Sequence, residues 1–182
     1  EKAVADLASA FAVWLVKRSG RPRIKLAIGR DSRLTGEAFT RIILSTLKYV
    51  GIEIFDCGMF STPAAFLTTQ FPSMQTDGAI MITASHHPKD INGLKFFTAD
   101  GGVNSEELGE IIELANIGEK LPTGSMSAVV RRDFMRLYCD AMTDAIRKGT
   151  GLFLPLKGMN IVVDAGHGAG GFFAKRVLEP LG

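Results

Sequence analysis

An apolar run from Ala79 to Ile82 stops at a string of small and polar residues, Thr83-Ala84-Ser85-His86-His87-Pro88, and a second apolar run resumes at Leu94 after Asn92-Gly93. Runs of this length bounded by turn residues read as strands, and the residues between them as an exposed loop. Asn-Gly is the dipeptide best suited to a tight turn with positive φ at both central positions, which predicts that the second strand folds back antiparallel to the first. Pro88 pushes His87 toward an extended backbone, because the proline ring crowds a preceding residue in the helical region. Ser85 is left at the loop tip, with His86 beside it and Lys95 on the returning strand.

The rest of the chain alternates between strand and helix signals around this loop. Val4, Leu7, Ala8, Phe11, Ala12 and Leu15 recur at helical spacing, so residues 2–18 are expected to form an amphipathic helix, stopped by Gly20. Lys25 to Gly29 follows as a strand, then a turn carrying Arg30, Asp31, Ser32 and Arg33, then a helix from Glu37 to Val50. Ile52 to Phe55 is the next strand, and Thr62-Pro63 opens another helix with proline at a tolerated first-turn position. Beyond the serine loop, Glu106, Glu107, Glu110 and Glu113 read as the solvated face of a helix with Ser105 as its N-cap. Residues 122–127 read as loop, and Arg131 to Lys148 as a second long helix.

Strands alternating with helices predict a layered α/β/α domain, its sheet mixed and mostly parallel, over residues 1–148. Gly149-Thr150-Gly151, Pro155 and Gly158 break the pattern, so 149–158 reads as a linker. A new strand from Met159, with Ile161 to Val163 at its centre, is followed by a glycine-rich turn and a helix ending near Leu181, the opening of an incomplete second α/β domain over 159–182. The turn, Gly166-His167-Gly168-Ala169-Gly170-Gly171, has the look of a nucleotide-binding loop, but no acidic residue follows about twenty positions on as a dinucleotide site requires. It reads instead as a tight turn that also permits close helix packing. A lone strand and helix cannot complete a core, which predicts that 159–182 packs on another copy of the chain or stays loosely ordered.

The 182 residues carry 21 basic and 19 acidic side chains, a net charge of +2, so no field favours nucleic acid or an anionic membrane surface. No apolar run approaches spanning length. Cys57 and Cys139 form neither a disulfide framework nor a metal-ligand pattern and read as packing residues, consistent with a reducing, cytoplasmic setting. Any anion preference must then be local. A displayed serine with an imidazole and a lysine nearby suits phosphate chemistry, since serine needs a base or a stabilising charge to act as a nucleophile. On composition alone the same residues are also an ordinary polar turn, and Arg30, Asp31 and Arg33 read equally as ligand contacts or as a salt-bridged turn that steadies the loop.

Thr83-Ala84-Ser85-His86-His87-Pro88 with Asn92-Gly93-Leu94-Lys95 resembles the phosphoserine loop of the α-D-phosphohexomutases, whose usual form is Thr-Ala-Ser-His-Asn-Pro followed by Asn-Gly-x-Lys. Gly29-Arg30-Asp31-Ser32-Arg33-Leu34-Thr35-Gly36, Asp56-Cys57-Gly58-Met59 with Thr62-Pro63, and Val162-Val163-Asp164-Ala165-Gly166-His167-Gly168 also resemble family segments, in the family's order, covering most of the chain from about Ile24. The resemblance implies interconversion of a hexose 1-phosphate and 6-phosphate, glucose or mannose, through phosphorylated Ser85 and a hexose 1,6-bisphosphate. It implies that His86 and Lys95 act beside Ser85, that Arg30, Asp31, Arg33, Thr83 and His87 support the loop or bind substrate, and that Mg²⁺ sits on the Ser85 phosphate. His87 replaces the family's Asn, and the Asp-Gly-Asp-x-Asp-Arg metal loop lies outside this sequence, so the remaining metal ligands are expected beyond the chain and the isolated segment is expected to be inactive. Phosphoglucosamine mutase, suggested by Lys95-Phe96-Phe97, and a non-catalytic phosphosugar-binding relative are the alternatives.

Overall fold

The computed structural model describes all residues, 1–182. Its centre is a six-stranded sheet in the order β5-β4-β3-β1-β2-β6. The strands are β1 (Lys25–Arg30), β2 (Glu53–Met59), β3 (Gly78–Ile82), β4 (Leu94–Thr98), β5 (Gly101–Gly102) and β6 (Ala128–Arg131). β1, β2, β3 and β6 pair in parallel, whereas β4 and β5 run antiparallel, so the sheet is mixed as expected. The helices are α1 (Lys2–Ser19), α2 (Gly36–Thr46), α3 (Thr62–Leu67), α4 (Ser105–Ile117) and α5 (Phe134–Thr150).

Alternation along the strands builds two cores, one on each face. Leu26, Ile28, Ile54, Ile80, Ile82 and Phe96 pack beneath α1, α2 and α4. Ala27, Phe55, Cys57, Ala79 and Met81 face α3 and α5. Every residue of β3 is buried, which explains why its sequence is a continuous apolar run. Gly29 on β1 is required by close approach: an added Cβ would lie 2.2 Å from the ring of buried Phe60.

Four local expectations are corrected by the structure. Helix α1 is buried all round from Ala8 to Leu15 rather than along one stripe, because α2 and α4 flank it as well as the sheet. Its Trp14 Nε1 donates to Glu110 Oε2 at 2.6 Å, and Arg18 pairs with Glu107, so two of the four acids of α4 are engaged by α1. The N-cap of α4 is Asn104, not Ser105: Asn104 Oδ1 accepts from the Glu107 N–H, and Glu107 returns a bond to the Asn104 N–H. Residues 128–130, for which the sequence predicts no element, and Arg131, the expected helix start, form the edge strand β6, whose side chains are all exposed and so carry no burial pattern.

The terminal segment departs most from expectation. The strand at Ile161 to Val163 does not form; the stretch pairs with no other strand, and Val162 is 95% exposed. The helical part is irregular, a turn at Ala169–Gly171 leading to wide and then tight turns over Ala174–Leu178 and Glu179–Leu181. It packs on its own chain. Val177 and Leu181 are fully buried in the α3/α5 core, Phe172 meets Tyr138 edge-on, and Arg147 donates to the Pro180 carbonyl. The helix is thus covered within the chain, and the apolar surface left open there is the unpaired stretch before it.

Two core groups carry measurable consequences. Thr143 Oγ1 is buried with no hydrogen-bond partner, so Thr143→Val removes a polar atom that gains nothing from burial. Thermal unfolding is expected to show equal or higher stability, by up to about 1 kcal/mol. Burial pushes the Cys57 thiol up from 9.0 to about 12. The folded chain therefore keeps this proton where the unfolded chain loses it, and stability falls as pH rises through that window. Cys57→Ala is expected to flatten the alkaline arm of a stability–pH curve relative to the parent, on top of a pH-independent loss from truncating a buried side chain.

Candidate active site

β1 lies between β2 and β3, and the chain passes from β1 to β2 on one side before crossing to β3 on the other. At such a switch point the loops leaving the carboxyl ends of adjacent strands part and open a crevice. β1 and β3 end in register, Arg30 beside Ile82, so the Asp31–Thr35 turn and the Thr83–Gly93 loop emerge together.

The turn grips the loop through Arg33, whose side chain is only 8% exposed. Nε donates to Asp31 Oδ2 at 3.1 Å. Nη1 is shared among the carbonyls of His87, Pro88 and Ile91 at 2.8, 2.5 and 2.9 Å, and Nη2 donates to the Ser85 carbonyl at 2.7 Å. A planar guanidinium can address several acceptors in one plane in a way an ammonium cannot. Asp31 Oδ2 also accepts from Thr83 Oγ1 at 2.7 Å, and Thr83 Oγ1 accepts from the Ser85 N–H at 3.0 Å. Between the two sequence readings of Asp31 and Arg33, the steadying turn is the one the geometry displays.

Ser85 has φ 50, an uncommon backbone for a residue with a Cβ. Its recorded bonds use only its backbone, so the exposed hydroxyl stands outside the network. The expected Asn-Gly tight turn does not form: neither Asn92 nor Gly93 has positive φ. Antiparallel pairing of β3 and β4 is nevertheless found. Asn92 instead ties the loop to the opposite turn, donating to Thr35 Oγ1 at 3.1 Å, and Gly93 lets its chain pass close to Thr83, whose N–H it receives at 3.0 Å.

A cleft of about 650 Å³ opens beside Ser85, lined by Asp31, Arg33, His87 and Lys89 and, across from them, by the Gly166–Ala169 turn. Of the residues singled out from sequence, Ser85, Asp31, Arg33 and His87 meet here, with Thr83 beneath them. His86 and Lys95 do not line it. Lys95 pairs with Met81 and so leaves the sheet on the α3/α5 face. Arg30 is also turned away, its stem against Gly36 and its Nη2 on Glu37 at 2.6 Å. Lys89 and His167 were missed. Lys89 carried no motif signal; the glycines around His167 do form the expected tight turn, but Gly166 and Gly170 have no neighbour that a Cβ would strike and so do not serve packing. A second cleft, about 520 Å³ between α1 and α4, is lined by Glu110, Glu113 and Glu119 and by Lys17 and Arg18, both of which are already paired with carboxylates.

The carboxylate that lines the serine cleft, Asp31, is engaged by Arg33 and Thr83, and no cluster of three or more His, Cys, Asp or Glu side chains could hold a metal ion. The residues of this chain therefore do not by themselves fit a Mg²⁺ site.

Residues 1–121 match the family "Phosphoglucomutase/phosphomannomutase, alpha/beta/alpha domain I". The chain belongs to this phosphohexomutase family. It is 34% identical over 184 aligned residues to a phosphoglucosamine mutase of Corynebacterium jeikeium, covering 97% of this chain and 39% of that protein. A phosphoglucosamine mutase of Desulforudis audaxviator is 37% identical over 161 residues, 86% of this chain and 34% of its own length. The chain thus spans about two fifths or less of the curated relatives it matches. Its fold is that of a phosphoglucomutase/phosphomannomutase family protein from Burkholderia thailandensis, with a TM-score of 0.80 at 22% identity over 98% of this chain and 38% of the other. The open form of the Paramecium phosphoglucomutase parafusin follows with a TM-score of 0.65 at 19% identity, again over 98% and 38%. No helix is long and apolar enough to cross a membrane.

Proposed function

We propose that this chain is the phosphoryl-carrying part of a phosphohexomutase that interconverts hexose 1-phosphate and 6-phosphate through phosphorylated Ser85. The observation that carries the reading is the Ser85 hydroxyl, left free at the mouth of a cleft by a loop whose every other anchor is engaged by Arg33, Asp31 and Thr83. In the forward step a sugar hydroxyl oxygen bonds to the phosphorus of phosphoserine 85 as the bond to Ser85 Oγ breaks. The hydroxyl proton leaves, and the serine oxygen takes up a proton. The reverse step, on the other phosphate of the bisphosphate, restores the carrier. Such transfers depend on in-line placement and on neutralising charge, and the anchored loop supplies the first.

Residues 1–148 form the carrier domain in this proposal, 149–158 the linker, and 159–182 the beginning of the next domain. His86 and Lys95 are proposed to join Ser85 when substrate binds, as proton-transfer partner and charge support. Mg²⁺, when bound to the phosphoserine, would neutralise phosphate charge, with its protein ligands supplied from outside this chain; hexose 1,6-bisphosphate is the proposed intermediate and activator. The sugar is glucose or mannose in the simplest reading. The names of the relatives at 34% and 37% identity favour glucosamine as a second. Incubating the intact protein that contains this segment with each 1-phosphate and a trace of its 1,6-bisphosphate is expected to yield the 6-phosphate, fastest for the true substrate. Binding of all three without conversion of any would leave a phosphosugar-binding relative instead.

A further inference from the structure

On the mutase reading the cleft beside Ser85 receives a phosphate, yet its most prominent cation is largely committed to the loop. Arg33 forms a neutral pair with Asp31, its Nη1 is shared among three loop carbonyls, and its Nη2 keeps one N–H beyond the bond to the Ser85 carbonyl. The other lining side chains able to meet an anion are Lys89, His87 and His167. Lys89 takes part in no ion pair within the chain, and it is the other formally charged cation on the cleft wall.

His167 stands on the opposite wall in an unusual backbone. The Gly168 N–H donates to the Ala165 carbonyl at 2.7 Å, closing a turn whose central residues, Gly166 and His167, have φ 52 and 58. Asp164 Oδ1 braces it by accepting from the Gly166 N–H at 2.8 Å. Glycine and asparagine fill such positions without difficulty; a histidine does so at a conformational cost. Only three non-glycine residues in the chain have positive φ, and two of them, Ser85 and His167, line this one cleft. Strained positions gathered at a cavity point to use of the side chains they present.

We infer that His167 contacts the phosphate of the sugar phosphate seated opposite Ser85, sharing it with Lys89 from the other wall. The identity of the ligand rests on the mutase reading above; the contact itself does not. An imidazole N–H and a lysine ammonium brought to one cleft by separate segments give a phosphate two donors, which fixes its position better than charge alone.

The test is a titration of the protein with inorganic phosphate and, separately, with glucose 1-phosphate at fixed pH and ionic strength, followed by the histidine imidazole and lysine side-chain resonances. His167 and Lys89 are expected to shift saturably with a common constant. His167→Asn keeps a residue that tolerates positive φ, so it preserves the turn while removing the imidazole; it is expected to weaken both ligands about tenfold with unchanged thermal unfolding. Resonances of His167 that ignore both ligands, or an unchanged affinity in His167→Asn, would overturn the inference. The two readings fail separately: phosphate bound through His167 in a protein that never phosphorylates Ser85 retires the mutase, and phosphorylated Ser85 with a silent His167 retires only this contact.

Discussion

Ser85→Ala in the intact protein is expected to abolish phosphosugar interconversion, a fall in kcat on the order of 10⁴ or more, while changing unfolding free energy by no more than about 0.5 kcal/mol. The size of the first effect follows from covalent participation: with no oxygen to carry the phosphoryl group, neither half of the reaction has an acceptor. The smallness of the second follows from the structure, since the hydroxyl belongs to none of the loop's bonds and the backbone contacts of residue 85 survive the change. Ser85→Gly sharpens the distinction. At φ 50 glycine relieves strain, so this variant is expected to be as stable as the parent or more so, and equally inactive. A Ser85 variant that folds and still turns over substrate would mean that the phosphate is carried elsewhere.

Arg33→Lys is expected to lower kcat/KM by roughly 10²-fold through misplacement of the serine, although the charge is retained. An ammonium cannot reach Asp31 and the carbonyls of Ser85, His87, Pro88 and Ile91 together, as the guanidinium fork does. Released, the loop keeps only its strand ends, the Asp31–Thr83 bond and the Asn92 contact to Thr35. Hydrogen exchange at the His87 and Ile91 amides, which close turns inside the loop, is expected to quicken selectively, with the amides of β1 and β3 unchanged. Equal exchange and equal kcat/KM in the variant would show that Arg33 is dispensable for holding the loop.

The sheet and its loop were legible in the sequence because both obey local rules. A strand buried on both faces must be apolar throughout, and Ala79 to Ile82 is. Helices α1, α4 and α5 announce themselves through periodicity, and the stop read at Gly20 is a left-handed glycine cap. What escaped is what depends on distant partners. Lys95 does not line the Ser85 cleft in this structure: its register opposite Met81 turns it to the α3/α5 face of the sheet. β6 is visible only through its pairing with β2, and the strand expected at Ile161 to Val163 lacks any strand to pair with. His167 joined the site because the terminal segment folds back onto α5, a contact that runs through Val177 and Leu181 and that no local pattern could specify.

The central claim is that the loop held by Arg33 displays one hydroxyl as the carrier of a transferable phosphate. The most direct measurement is mass-spectrometric mapping of the intact protein after exposure to a hexose 1,6-bisphosphate, followed by a chase with a hexose monophosphate. The account expects a single phosphate on the peptide containing Ser85, acquired from the bisphosphate and lost in the chase. A phosphate that settles on another residue, or one on Ser85 that the chase does not remove, would contradict it.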